Sequence, residues 1–556
     1  MCSVRMRPLL RWLFALCPVV LPAVTLTWDT SAVAGYQPGP GAWSGPQAWS
    51  LDGVVRQGWL AGADAVFRGS TGGGSDTIAL TLPVEVGDLA FGGINGELAR
   101  GDWSLTGAVL TLTRASRCDV GFGSRVEVSS LMAGSQTWTK GGEGELCLAA
   151  ESLHRGGLIV EGGGLVFRST LGAGESTVEM AGGRLSLETA GNIYNPLKLS
   201  AARVAIAVDQ LDALTTPWVT TWVGQVSGAG ALVKTGRGEL RLAGANTFAG
   251  GVTIEGGMVA VSQSSGLGQG GVRLDGGGLS LISNVMVTNA IEVVAAGSRL
   301  SSSLNSQSRP YVAYLTGAVN GVGGVVKVGA GTLWATGSWA HTGGTVVQDG
   351  VLMADGRIAG ELRVAGGVLG GRGRVGAVVV ADGGTLAPGD AYGILTMSSL
   401  RLEAGARLLC VLDRTDLGPG GGYAYGMVEG ALDLSSLDRT HRARWVLGGK
   451  LGNFDLARDQ RFVLWRFGEL SLAPGLALPD CLELDASAWR AVLGDGFDPA
   501  RLTLAADSLG RTVYLDYSAA LPEPAWYGFT LAGSVGAFAL GRRRKRKKDG
   551  IDGRVG

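Results

Sequence analysis

From Gln225 to Val261 the chain reads QVSGAGALVKTGRGELRLAGANTFAGGVTIEGGMVAV, with apolar and polar residues alternating instead of recurring at helical spacing. Runs such as Glu239-Leu240-Arg241-Leu242 and Val252-Thr253-Ile254-Glu255 predict short strands whose successive side chains point to opposite faces. The glycine clusters between them permit tight, positive-φ bends. The same text returns on both sides: Lys140 opens KGGEGELCL, Lys234 opens KTGRGELRL and Lys327 opens KVGAGTLWA, at spacings of 94 and 93 residues. In each copy a second strand ends 21 residues beyond the lysine, at Glu161, Glu255 and Gln348. A further pair, VEMAGGRLSL from Val178 and VRLDGGGLSL from Val272, is again 94 residues apart. One such segment cannot bury its apolar face alone, so stacked copies must share a continuous core.

The pattern K-x-G-x-G-x-L, an Asn/aromatic turn (Ala245-Asn246-Thr247-Phe248), then a Gly-Gly pair and a short strand resembles the autotransporter-associated β-strand repeat of large secreted bacterial proteins. The central copy matches well, Ser338-Trp339-Ala340-His341 replaces the Asn turn in the third, and the first departs after Leu148. The resemblance covers roughly Leu131 to Leu409 and implies an all-β fold, a right-handed parallel β-helix.

Composition agrees with that class. Glycine supplies 95 of 556 residues, and only 17% are charged, so neither an ordinary cytosolic enzyme nor a highly charged disordered chain is described. Regular Val/Ile/Leu strands between the glycines argue against low-complexity disorder.

The two ends read as processing signals. Arg5, Arg7 and Arg11 precede the apolar run Trp12 to Val24, the layout of a secretory signal peptide cut near Ala23 to Thr27. Pro18, Pro22 and the short run disfavour an uncleaved anchor. Trp28, Trp43, Trp49 and Trp59 follow, and could form a carbohydrate platform or, as we favour, cap the open first coil. Beyond Asp413 glycine thins, and residues 413–518 are expected to form a mostly-β cap with a short helix within Asp485 to Leu493. At the far end Pro522-Glu523-Pro524 precedes an apolar run, Ala525 to Leu540, and the basic cluster Arg542, Arg543, Arg544, Lys545, Arg546, Lys547 and Lys548. This tail resembles the PEP-CTERM sorting signal. The resemblance implies a short transmembrane helix, retention of the basic cluster in the cytoplasm, and cleavage by an exosortase-type membrane protease. The expected division is 1–27 signal peptide, 28–130 N-terminal cap and first coils, 131–412 repeats, 413–518 cap, 519–548 sorting signal and 549–556 polar tail.

Charge and chemistry narrow the function. Between leader and sorting tail the chain carries 36 basic and 45 acidic residues, so no basic footprint for nucleic acid remains. Cys118, Cys147, Cys410 and Cys481 are widely spaced, without the C-x-x-C of a zinc or redox centre; two disulfides or buried thiols are both compatible. His154, His341 and His441 each stand alone, and neither a G-x-S-x-G elbow nor a P-loop is present. No catalytic, cofactor or metal site is therefore assigned. A catalytic group is needed once, whereas Lys140, Lys234 and Lys327 recur in register, which points to an architectural role in which any one lysine should be dispensable. The expected protein is an exported, non-enzymatic rod of the Gram-negative cell surface or extracellular matrix, transiently anchored in the inner membrane. Its partners would be the sorting protease and extracellular polysaccharide or a neighbouring cell. A β-helix polysaccharide lyase or glycoside hydrolase is the alternative, and would require carboxylates and basic residues converging in one groove.

Overall fold

The computed structural model describes residues 23–30, 36–69, 75–92, 100–209, 218–390, 392–507 and 511–519. Short strands dominate, and nearly all pair in parallel with a strand about one coil further along the chain. Lys140 pairs with Val160, Lys234 with Ile254 and Lys327 with Val347, so one coil of each repeat takes 20 residues. Parallel partners this close in sequence follow when each coil returns to lie on the one before it. The arrangement is consistent with a β-helix.

Three columns of strands run the length of the molecule, and the chain visits them in turn. Asp64–Phe67 lies in the first, Ser75–Leu80 in the second and Val84–Val86 in the third, after which Leu89–Phe91 returns to the first. Where a column lacks a regular strand, backbone bonds continue it: Thr247 N–H donates to Val226 O and Gln269 N–H to Phe248 O, at 2.8 and 2.9 Å.

Inward positions of the second column form the ladder Val126, Leu146, Leu165, Leu185, Ile206, Lys234, Ile254, Leu274 and Val293. Each aliphatic member is buried, and full burial of such a side chain contributes roughly 1.5–3 kcal/mol. A lysine in that ladder is the exception that organises the repeat.

Both ends abandon parallel pairing. At the first coil Thr25–Trp28 pairs antiparallel with Trp49–Ser50, which pairs antiparallel with Arg56–Gln57. Trp28, Trp43 and Trp49 are buried there, with Trp59 half-buried, and their ring centroids lie 4.6–5.1 Å apart. These tryptophans pack on one another at the apolar end of the first coil. Towards the other end the second and third columns fuse into long bent strands such as Gly393–Leu402 and Ala424–Asp433. Parallel pairing passes through Asp413 without a break, and only Leu502–Asp507 and Thr512–Tyr517 close the stack in antiparallel fashion. The helix foreseen near Asp485 forms over Ser487–Leu493 and buries Trp489 against Phe454, at 5.4 Å between ring centroids.

The lysine strand changes column from copy to copy. Trp138–Gly141 is in the first column, Ala231–Thr235 in the second and Val325–Val328 in the third. Following the pairings from Trp138–Gly141 gives four full coils to Val226–Gly228 and then one further step to Ala231–Thr235. A 94-residue repeat therefore spans four and one-third coils, and successive copies are turned by one column.

Deleting the 93 residues Gln225 to Gly317 should accordingly leave a folded stack, because Ala318-Val319-Asn320-Gly321 would replace Gln225-Val226-Ser227-Gly228 in register. The product should be shorter by roughly 21 Å, at ~4.8 Å per coil, with its C-terminal part turned by one column. X-ray scattering and circular dichroism read this. A product that is unfolded or helix-rich would exclude independent stacking of the repeats.

Candidate functional site

The feature common to the three copies is inside. Lys140, Lys234 and Lys327 are each 0% exposed. Lys140 Nζ donates to Gly141 O, Gly142 O and Gly162 O at 2.8, 3.1 and 3.0 Å. Lys327 Nζ donates to Val328 O, Gly329 O and Asp349 O at 3.0, 2.7 and 3.0 Å. Lys234 does the same with Thr235 O, Gly236 O and Gly256 O. In every case the acceptors are the next two residues and the one 22 residues on, in the following coil.

Backbone turns make this possible. The glycine two residues after each lysine has a positive φ: 70° at Gly142, 76° at Gly236 and 75° at Gly329. Its partner turn in the next coil uses Gly163, Gly257 and Gly350 at 65°, 62° and 64°. A side chain there would be strained, and at Gly350 an added Cβ would also meet Lys327 Nζ at 2.9 Å. The K-x-G-x-G text thus encodes one ammonium and two left-handed turns whose carbonyls face it. Burial lowers the pKa of all three lysines, to about 8 for Lys234 and Lys327. Three carbonyl dipoles compensate for the water that each ammonium has lost.

The fourteenth residue after each lysine is a second internal constant. His154, Phe248 and His341 occupy that position and are all buried. His154 Nδ1 lies 2.9 Å from Ser176 Oγ, and His341 Nε2 lies 3.0 Å from Thr345 Oγ1. Two of the three histidines are therefore core plugs in a register where the middle copy has phenylalanine. The third, His441, is exposed in the turn with Asp438. Asn246 joins three coils, accepting from Val226 N–H at 2.8 Å and donating to Gly266 O at 2.7 Å.

Outside, the copies diverge. In the first, Glu145 accepts from Arg125 at 2.5 Å and from Arg184 at 3.0 Å, reaching the latter across Gly164. Arg168 adds bonds to Glu127 and Glu188 at 2.6 and 2.8 Å. Carboxylates and arginines converge here in a shallow groove of about 470 Å³ lined by Phe122, Arg125, Glu145 and Arg184, and again in one of about 540 Å³ lined by Asp459, Arg461, Arg501 and Asp516. Each of the carboxylates Glu127, Glu145 and Glu188 is tied to an arginine of another coil, the geometry of a staple between coils. The register position shared by Glu161 and Glu255 is exposed, with Arg117 2.6 Å from Glu161 and Arg203 3.4 Å from Glu255. In the third copy the outward positions are Thr332 and Trp334, with Tyr314 stacked on Trp334 at 5.8 Å. What recurs is the interior; the surface does not.

Cys118, Cys147, Cys410 and Cys481 are buried free thiols, and burial raises the first three to about 12, 11 and 12. Among the described residues no His/Cys/Asp/Glu cluster has metal-binding geometry, and no helix is long and apolar enough to cross a membrane. Pro522, Glu523, Pro524, the run from Ala525 and the cluster Arg542 to Lys548 lie outside the described residues.

Residues 232–261 and 325–354 match the passenger-associated-transport-repeat family. Each match starts within a lysine strand and ends with the outer strand of the following coil. The chain is also similar to the adhesin BmaC autotransporter of Brucella suis biovar 1 (strain 1330), at 30% identity over 171 residues. That alignment covers 30% of this chain and 5% of the adhesin's length.

The expectation that one lysine is dispensable fails on this geometry. Lys234→Met would take the ammonium from three carbonyls, of which Thr235 O keeps only the Val208 N–H at 3.3 Å, a cost on the order of 3 kcal/mol, while Lys198→Met on the exposed surface should cost little. Chemical denaturation of the two variants measures the difference, and equal stabilities would remove the clamp from the account.

Burial also holds His154 and His341 below the usual histidine value of 6.5. The unfolded chain then binds protons that the folded chain refuses, so stability should fall as pH drops below about 6.5, by at most ~1.4 kcal/mol per histidine per pH unit. A His154→Phe, His341→Phe double variant should lose less between pH 7 and pH 5 in thermal melts. Parallel losses in the two proteins would assign the acid sensitivity to other groups.

Proposed function

We propose that this protein is an exported, non-catalytic rod, a right-handed parallel β-helix that serves as an adhesin-like component of the cell surface or extracellular matrix of a Gram-negative bacterium. The observation that carries the reading is the direction of the repeated chemistry. All three lysines spend their donors on the protein's own backbone, inside the stack. A repeated residue with no free donor cannot act on a substrate; it holds coils together.

The similarity to a repeat found in passenger segments, and to an adhesin, supports display outside the cell. Right-handedness is the hand that parallel strand crossovers take. Pro522-Glu523-Pro524 with the basic cluster Arg542 to Lys548 supports transient anchoring in the inner membrane and release by an exosortase. Contacts with polysaccharide or a neighbouring cell would be made by the outward residues. Because these differ between copies, recognition rests on particular coils rather than on many near-identical sites.

Two measurements test the proposal. Mass spectrometry of the protein from a host with the sorting enzyme should find no peptide containing Arg542 to Lys548; an intact tail on the surface protein would end the sorting claim. Purified protein incubated with acidic and neutral polysaccharides should bind at most, with no new reducing or unsaturated ends. Depolymerisation abolished by Glu145→Gln would replace the scaffold with the lyase or hydrolase.

A further inference from the structure

The first strand of the fold bears on where the leader is removed. Small residues of the kind that precede a signal-peptidase cut occur twice, at Ala23 and at Ala32-Val33-Ala34. By residue type alone the second is the better match, since it has alanine at both of the recognised positions. Cutting there would remove everything up to Ala34, including Thr25–Trp28.

That strand is not a detachable leader remnant. It lies between two others, pairing in parallel with Asp64–Phe67 and antiparallel with Trp49–Ser50. Its backbone is in use from its first residues, since Asp64 N–H donates to Val24 O at 2.8 Å. Leu26 is 0% exposed, and Trp28 sits 5.1 Å from Trp49 and 5.8 Å from Phe67 between ring centroids. Trp28 Nε1 donates to Gly39 O at 2.9 Å, and Arg56 donates to Asp29 O at 2.8 Å. Without the strand, the hairpin of Trp49–Ser50 and Arg56–Gln57 loses its strand pairing to the first coil and is held there by ring packing such as Trp49 on Phe67. The apolar faces of Trp49 and Phe67 would then open to water. The backbone constraint ends at Val24, which bonds Asp64 through its carbonyl, and Ala23 before it is exposed.

We infer that the leader is cut at the Ala23–Val24 bond, so that the exported protein starts at Val24 and keeps its first strand. Water adds across the peptide bond, leaving the carboxylate on Ala23 and the amino group on Val24, with the host's signal peptidase as catalyst. The inference rests on the export reading above, but selects the site on the packing of Thr25–Trp28.

N-terminal sequencing of the exported protein tests it, alongside the variants Ala23→Leu and Ala34→Leu. The expected result is Val24 as first residue, at least tenfold less mature protein from Ala23→Leu, and processing within twofold of normal from Ala34→Leu. A mature N-terminus at Gly35, or anywhere beyond Thr25, would overturn the inference while leaving export intact. An exported protein that retains Met1 would overturn both. Purified chains starting at Val24 and at Gly35 give an independent reading. The shorter one should melt at a lower temperature and expose more tryptophan to a fluorescence quencher, and identical behaviour would count against the structural role assigned to the strand.

Discussion

A buried ammonium needs its hydrogen bonds, and the rest of the repeat follows from supplying them. Lys140, Lys234 and Lys327 take positions in ladders that are otherwise apolar, so each must find acceptors among backbone carbonyls. Two come from the turn directly after the lysine and one from the turn of the next coil. The clamp fixes the corner of its own coil and the placement of its neighbour at once. An aliphatic residue would bury as much surface but would leave those carbonyls unanswered. The positive-φ glycines are the second half of the device, because only that backbone conformation turns the carbonyls inward.

This division of labour explains why the interior is repeated and the exterior is not. Inward positions answer to the coils above and below, and tolerate few residue types. Outward positions answer only to solvent and lateral neighbours, and so range from the Arg125–Glu145–Arg184 staple to the Tyr314–Trp334 stack. The ends are a separate problem, since a stack of parallel coils exposes a strand edge and an apolar cross-section. Aromatic clusters with antiparallel strands meet both demands, around Trp28, Trp43 and Trp49 at one end and around Phe454, Trp489 and Tyr517 at the other.

The mismatch between repeat and coil has consequences for the surface. A repeat of four and one-third coils carries successive copies around the stack, placing the lysine strand in the first, second and third columns in turn. Equivalent outward residues of the three copies therefore lie on different faces. The stack thus presents a different set of outward residues on each side.

The sequence by itself determined the strands, the repeat and an architectural role for the lysines. Those depend on local alternation, on glycines at fixed offsets from Lys234, and on recurrence that can be counted along the chain. It also favoured a cap over a platform for Trp28, Trp43, Trp49 and Trp59, because the end of a stack exposes apolar core and a strand edge. Only the tertiary structure decided which carbonyls each lysine reaches, since one of the three lies in the next coil, 22 residues away. It likewise decided that each lysine spends its donors inside the stack, that His154 and His341 are buried as Phe248 is, and that Glu145 is held by arginines from two other coils. The column taken by each repeat was not legible either. Spacing along the chain counts residues, whereas position around the stack depends on how many residues each turn consumes, and that is set by packing between coils.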